Sequence, residues 1–374
     1  MRQVLRRIVT AAAVATWMLA LVGQFETARA ADDWQAGAGP EWQKTLEQGR
    51  KEGTVSVALT FSALATPMRT AFERDTGIKI EFLTGSISDV YSRLFREAKS
   101  NNVTLDLAIS GGGVLPLLQS GNLLAIAPQF MLPGVTDPKV WVGGKIHWMD
   151  NANAYLFEGS EYVFGWPLVN SSLVDPKTLT SWKDFLKPEF KSKIVADDPR
   201  VPGAGQSVAA YLATVFGMDF VKQLYVGQEV KYTSDARQLV EWVTRGQASV
   251  ALGAIQPTIE TFRQQGMKQL AVLSLPDGPG TLLGGFGVLA QLKGGPHPNA
   301  AKVFINWFAS RPAMEIYSRV TLEASTRADV KVAELPDYVV PRPGVSYQNQ
   351  YQETWYARER PVVQKAIIEA LGGR

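Results

Sequence analysis

The chain contains no cysteine in 374 residues and only two histidines, His147 and His297. No disulfide can staple it, no N-terminal cysteine can carry a lipid, and thiolate or His/Cys metal patterns have no ligands to work with. Surplus charge is missing too. The formal net charge is +3, and much of it sits at the N-terminus: the first 30 residues hold four basic residues (Arg2, Arg6, Arg7, Arg29) and one acid (Glu26). Setting them aside leaves 34 basic and 34 acidic residues from totals of 38 and 35, so nothing supports a nucleic-acid footprint. Apolar runs long enough to span a membrane are also lacking. The longest, residues 8–22, falls short of the roughly 20 residues a spanning helix needs.

That run is what a secretory leader requires. Basic residues precede it, and Ala28-Arg29-Ala30 offers small residues at the two positions a signal peptidase reads. The expectation is a freely diffusing periplasmic protein cleaved near Ala30, stable through its core alone, monomeric and without a cofactor. At 46% hydrophobic and 20% charged residues, the chain is ordinary for a globular protein long enough to make two domains.

From residue 54 the pattern is β-loop-α, three times over. Val55, Val57 and Leu59 alternate in a first strand, and Met68, Ala71 and Phe72 share one face of the helix that Gly77 closes. A second strand over 78–83 leads into a helix with Val90, Leu94, Phe95 and Ala98 turned inward and Ser88 as its cap. A third strand over 105–109 ends in Ser110-Gly111-Gly112-Gly113. Such a succession predicts a parallel sheet with right-handed crossovers, whose binding loops gather at the C-terminal ends of the strands. Phe61, Ser62, Ser86, Ser110, Gly111 and Gly112 are therefore candidate ligand contacts, although turn chemistry alone would also account for the serines and glycines.

Residues 161–170 are apolar and aromatic and read as a first crossing to a second lobe. There, strands over 193–196, 230–232 and 248–252 alternate with helices over 206–216 and from 236, the latter capped by Ser234 or Asp235. Between 274 and 287 the density of Gly and Pro marks a connector. A strand over 286–292 follows, and then a helix bearing Val303, Phe304, Trp307 and Phe308, with Asn299 as the expected N-cap. This is the return to the first lobe. Residues 330–347 are Pro-rich, and 349–371 end in an amphipathic helix with Val363, Ala366, Ile367 and Ala370. That last segment could pack across the lobes or serve as a docking surface.

Several motifs occur in a characteristic order: Lys51-Glu52-Gly53, Phe72-Glu73-Arg74-Asp75-Thr76-Gly77-Ile78, Thr104-Leu105-Asp106-Leu107, Gln119-Ser120-Gly121-Asn122-Leu123, the 181–199 segment, Thr244-Arg245-Gly246-Gln247-Ala248 and His297-Pro298-Asn299-Ala300-Ala301-Lys302. With them the chain resembles the family 1 extracellular solute-binding proteins of bacterial ABC importers, and within these the ferric-iron-like branch. The resemblance spans nearly everything from Trp42 to about Asp329. It implies an α/β, two-lobed periplasmic-binding-protein-like fold: two parallel-type sheets flanked by helices, joined by hinge crossings, closing on a solute. The expected divisions are 1–30 for the leader, 31–165 with 285–329 for lobe 1, 166–284 for lobe 2 and 330–374 for a C-terminal extension. An importer permease in the membrane is the implied partner.

Ferric-binding members of that branch carry adjacent tyrosines just after the strand that corresponds to residues 248–252. Ile255 and Gln256 stand in that neighbourhood here, and neither can ligate ferric ion, so the resemblance implies no metal site. A carboxylate–iron complex stays open. The candidate second-lobe contacts are Arg200, beside a helix N-terminus where a guanidinium suits carboxylate or phosphate, together with Gly205, Tyr232, Trp166, Asn170 and Gln256. A small, oxygen-rich anionic solute is expected. An enzyme is the poorer reading: His297 lies between two prolines, no serine sits in a Gly-x-Ser-x-Gly elbow, and Asp197 and Asp198 point opposite ways on an extended chain. A periplasmic sensor that presents its solute to a receptor remains a third possibility.

Overall fold

A computed structural model of the chain describes residues 34–372. The expected leader lies outside the described residues.

Helix α1 (Pro40–Glu52) places Trp42 and Leu46 inward and ends on Gly53 in the left-handed region. Strand β1 (Thr54–Leu59) follows, then α2 (Ala65–Thr76), β2 (Lys79–Thr84), α3 (Ile87–Ser100) and β3 (Leu107–Ser110). β1 is central and pairs in parallel with both β2 and β3, as the repeated pattern requires. The short strands β4 (Leu123–Leu124) and β5 (Leu156–Glu158) complete this sheet from its other side.

The chain then crosses. β6 (Tyr162–Phe164) belongs to the crossing, and β7 (Pro167–Asn170) opens the second sheet, joined by β8 (Ile194–Asp197), β9 (Lys231–Thr233), β10 (Val250–Leu252) and β11 (Leu270–Val272) in the order β11-β7-β10-β8-β9. β8, β9 and β10 are mutually parallel neighbours, while β7 runs antiparallel to β10 and β11. Helices α4 (Ala204–Phe216), α5 (Ala236–Thr244) and α6 (Gln256–Gln264) follow β8, β9 and β10. β12 (Thr281–Leu283) returns antiparallel to β6, and β13 (Val288–Leu292) inserts antiparallel between β3 and β4. Helices α7 (Pro298–Phe308) and α8 (Arg311–Thr321) then cover the first sheet.

Both faces of each sheet are buried. Trp42, Phe72, Phe157, Phe304, Trp307 and Phe308 fill one side of the first sheet, and Val90, Leu94, Leu115 and Leu156 the other. Trp182, Phe185, Phe190, Tyr211 and Tyr225 anchor the second sheet on one side, with Leu239, Val243, Ile259 and Phe262 on the other. Inner strands such as β3, β10 and β13 therefore read as near-continuous buried runs, while β2 at the sheet edge and β1 beside it keep some alternation.

Two expected caps come out differently. Ser86, not Ser88, caps α3 and accepts from Asp89 N. α7 begins at Pro298, and Asn299 is not its cap. The Glu52 carboxylate, reaching over from α1, accepts from Asn299 N, Asn299 Nδ2 and Ala300 N at 2.7–3.2 Å. A carboxylate there satisfies free N–H groups and complements the helix dipole, and local sequence gives no hint of it.

The C-terminal segment packs across the lobes. β14 (Gln348–Asn349) pairs in parallel with β12, making a three-stranded sheet at the crossing. From there Glu353 N donates to Met149 O, and Asn151 N donates to the Glu353 carboxylate, tying the segment to the first lobe. Helix α9 (Arg360–Leu371) lies on α4 with Ile367 fully buried, tying it to the second. No helix of the described residues is long and apolar enough to cross a membrane.

Candidate functional site

The C-terminal ends of both sheets face one cavity of about 350 Å³. The first lobe contributes Thr60 after β1, Ile87 and Tyr91 from α3, and Gly111, Gly112 and Gly113 after β3. The second contributes Asp197 at the end of β8, the 201–204 loop with Ser207, Ser234 and Ala236 before and within α5, and Gly253, Ile255 and Gln256 after β10. Tyr162, Phe164, Leu283, Gly285 and Phe286 of the crossings form the floor. α3, α4, α5 and α6 all begin at this cavity; Ser86, Asp197 and Asp235 already accept from first-turn N–H groups of the first three, so only the remaining ones face the cavity as donors.

Close packing sets its shape. A Cβ on Gly205 would collide with the Asp197 carbonyl, so only glycine lets α4 start against the end of β8. There Gly205 N donates to Asp197 Oδ2 at 2.6 Å. Burial nonetheless pushes the Asp197 carboxyl up to about 6, with Asp198 adding to the rise. A Cβ on Gly112 would lie 2.7 Å from the Tyr356 ring, which shows how tightly the C-terminal segment fits the first-lobe loop.

That segment is the part of the site the sequence did not reveal. Tyr351, Tyr356 and Arg360 all line the cavity. Tyr351 Oη donates to Gly285 O at 3.2 Å, and Tyr91 Oη donates to Gly111 O at 3.2 Å. Burial holds both phenols well above the ordinary tyrosine range. Arg360 stacks on Tyr356, its guanidinium carbon 4.1 Å from the ring centroid, and Nη2 donates to Gln206 Oε1 at 2.9 Å. Its partners are neutral: among the described residues it makes no ion pair with a carboxylate.

Of the residues expected from sequence, Gly111, Gly112 and Gln256 line the cavity. Gln256 is buried, its Nε2 3.4 Å from Thr321 O and its Oε1 without a hydrogen bond among the described residues. Phe61 stacks on the lining residue Phe286 at 4.8 Å. Ser110 is buried, with its hydroxyl on Gly111 O. Ser86 is exposed and committed to Asp89, and Ser62 is exposed outside the lining.

Arg200 does not reach the lining. Its Nε and Nη2 meet the two Asp198 carboxylate oxygens at 2.9 Å each, and its guanidinium lies on the Tyr232 ring at 4.8 Å. The charge is neutralised two residues away, and Tyr232 is held as its platform. Trp166 packs edge-on against Phe164 and Tyr338, and buried Asn170 donates to Val243 O. Trp166 thus packs at the crossing and Asn170 within the second lobe; neither is among the residues lining the cavity.

Behind the floor, fully buried Glu323 accepts from Tyr317 Oη, from Ser160 Oγ at 3.0 Å and from Phe286 N at 3.3 Å. Its carboxyl is lifted to about 7 by burial, against the pull of these donors. Through Phe286 it fixes one wall of the cavity. No group of three or more His, Cys, Asp or Glu side chains placed to hold a metal occurs among the described residues.

The model of the family described as bacterial extracellular solute-binding protein matches residues 56–315. Iron-bound HitA of Pseudomonas aeruginosa superposes with a TM-score of 0.65 at 16% identity, covering 84% of this chain and 99% of that one. The Trichodesmium protein IdiA (FutA), in complex with iron and citrate ligands, gives 0.64 at 17% identity, with 86% and 100% covered. AfuA of Actinobacillus pleuropneumoniae, with fructose-6-phosphate bound, gives 0.62 at 18% identity, with 85% and 98% covered. A curated Haemophilus influenzae protein described as uncharacterized is 27% identical over 139 residues, 36% of this chain and 38% of its own length, so this chain matches well under half of that relative. The two-lobed architecture is therefore that of the periplasmic binding proteins, and the chain belongs to the bacterial extracellular solute-binding protein family.

Proposed function

We propose that this protein captures a small, oxygen-rich organic anion in the cavity between its lobes, in the periplasm after removal of the leader, and delivers it to an ABC importer permease. The observation that carries this reading is Arg360. It is a guanidinium on the wall of the cavity, held by an aromatic face and a neutral amide, with no ion-pairing acid among the described residues. Such a group is an anion partner, and the start of α6 at the cavity, where no side chain caps the helix, adds to the same preference. Asp197 limits the anion's form. An acid in the lining favours a solute that also carries hydroxyl donors, which a hydroxy-carboxylate or a sugar phosphate does.

The volume fits this class, at the small end of the roughly 300–1,000 Å³ typical of ligand pockets. Bare ferric ion is a poorer guest. Ile255 and Gln256 follow β10, and the Tyr91 and Tyr351 phenols are bonded to carbonyls and resist ionisation. Both lobes and the C-terminal segment line the cavity, so a solute touching all three favours the closed form, which is the condition for binding to drive closure.

Calorimetry with a panel of hydroxy-carboxylates and sugar phosphates tests the reading. At least one should bind in the micromolar range, with a fall in radius of gyration by X-ray scattering. A panel with no binder, or with a binder indifferent to Arg360→Ala, contradicts it.

A further inference from the structure

On the other side of Tyr351 lies a second and larger cavity, of about 670 Å³, between the 136–148 segment, β5 and the C-terminal strand. Tyr351 lines both cavities and partitions them. Glu158, at the end of β5, is a lining residue here. Its backbone is fully used: N donates to His147 O, and O accepts from Thr326 Oγ1 at 2.8 Å. Its side chain is another matter. The residue is only 6% exposed, yet the carboxyl takes no hydrogen bond among the described residues.

The charges around it make its position more unusual. Burial disfavours the ionised Glu158 carboxylate, and the two charges that act on it, Glu161 and Asp150, are both acids. Asp150 is already satisfied by the N–H groups of Ala154, Tyr155 and Leu156 at 2.7–3.1 Å. Glu161 holds His147 Nδ1 at 3.3 Å. Lys145 also faces the cavity, but its charge is felt at His147 rather than at Glu158. A buried carboxyl with no donor and two acidic neighbours is unfavourable, and a complementary ligand would relieve it.

We propose that this second cavity is a binding site for a small organic cation bearing a primary ammonium group. The ammonium is a compact triple donor that satisfies the orphaned Glu158 oxygens directly, and the polar residues Asn349 and Gln352 belong to the same lining. Trp148 and Tyr351 supply aromatic surface for the alkyl part and for cation–π attraction. The site is separate from the anion site on the other side of Tyr351 and does not depend on Arg360.

The test is calorimetric titration of the full-length mature protein with n-butylammonium chloride at pH 8, with n-butanol as the uncharged match. Binding is expected for the ammonium and not for the alcohol. Glu158→Gln keeps the shape and removes the charge, and should weaken binding at least tenfold. Arg360→Ala should leave it unchanged. Gln352→Glu, at an exposed rim position, adds a second carboxylate and should tighten binding severalfold whether or not Glu158→Gln folds. The proposal is overturned by an ammonium that fails to bind up to about 10 mM, by equal binding of the alcohol, by equal affinity in Glu158→Gln, or by a Gln352→Glu protein that binds no tighter.

Discussion

Two arginines approach the inter-lobe region, one from the loop after β8 and one from the C-terminal segment, and they are used in opposite ways. Arg200 closes a two-point ion pair on Asp198 and lies on Tyr232, mostly buried, so its charge belongs to the loop. Arg360 also lies on a tyrosine, but its hydrogen bonds go to neutral amides. Both stand near a helix N-terminus, and only the identity of the second partner separates a structural cation from an available one. A carboxylate two residues away had already taken the charge that Arg200 was expected to offer a solute.

Exchanging the roles of the two arginines is the strongest way to break this comparison. Arg360→Ala should weaken anion binding about 100-fold, close to 3 kcal/mol, with little change in melting temperature. Arg200→Ala should do the reverse. It leaves buried Asp198 without its counter-ion, so stability should fall by about 2 kcal/mol in denaturant titration while affinity changes less than threefold. Equal effects of the two variants on affinity would end the distinction.

Glu323 extends the same contrast to acids, because it is bonded on several sides and still disfavoured as an anion. Its folded value, near 7, lies above its ordinary 4.5, so the native state holds a proton that the unfolded chain has released across that interval. Its contribution is fully present below about 4.5 and is lost as pH rises through 7. Asp197 acts with the same sign between about 3.8 and 6. The melting temperature should therefore fall from pH 5 to just above pH 7, and Glu323→Gln should flatten the 6–7 part of that fall, where Asp197 no longer contributes, and melt a few degrees higher at pH 8. A variant with an unchanged pH profile would show that Glu323 is not the group responsible. The smallest effect belongs to Ser86→Ala. With its hydroxyl committed to the start of α3, the loss should be about 1 kcal/mol of stability, read by thermal denaturation, with affinity untouched.

How much could be read in advance follows from range. β1, α2 and β2 appear in sequence because strand alternation, a helical apolar face and Gly77 in the left-handed region are all local signals. Gly111, Gly112 and Gln256 could be placed at the cavity because strand C-termini and helix N-termini meet there in any such sheet. The antiparallel entry of β13 between β3 and β4 could not, since an apolar run carries no direction. Glu52 capping α7 joins residues about 250 positions apart. Tyr91 had a weak signal, one turn into a helix that begins at the cavity. Tyr351, Tyr356 and Arg360 had none beyond the aromatic, polar character of the C-terminal segment, because where that segment docks is decided by Ile367 and Trp355 meeting the second lobe's core.

Native mass spectrometry of the protein purified from its native cells, wild type beside Arg360→Ala, addresses the central claim most directly. The account predicts a small anion bound to the wild type and absent from the variant. An identical bound species in both, or an anion retained only when Arg200 is intact, would contradict it.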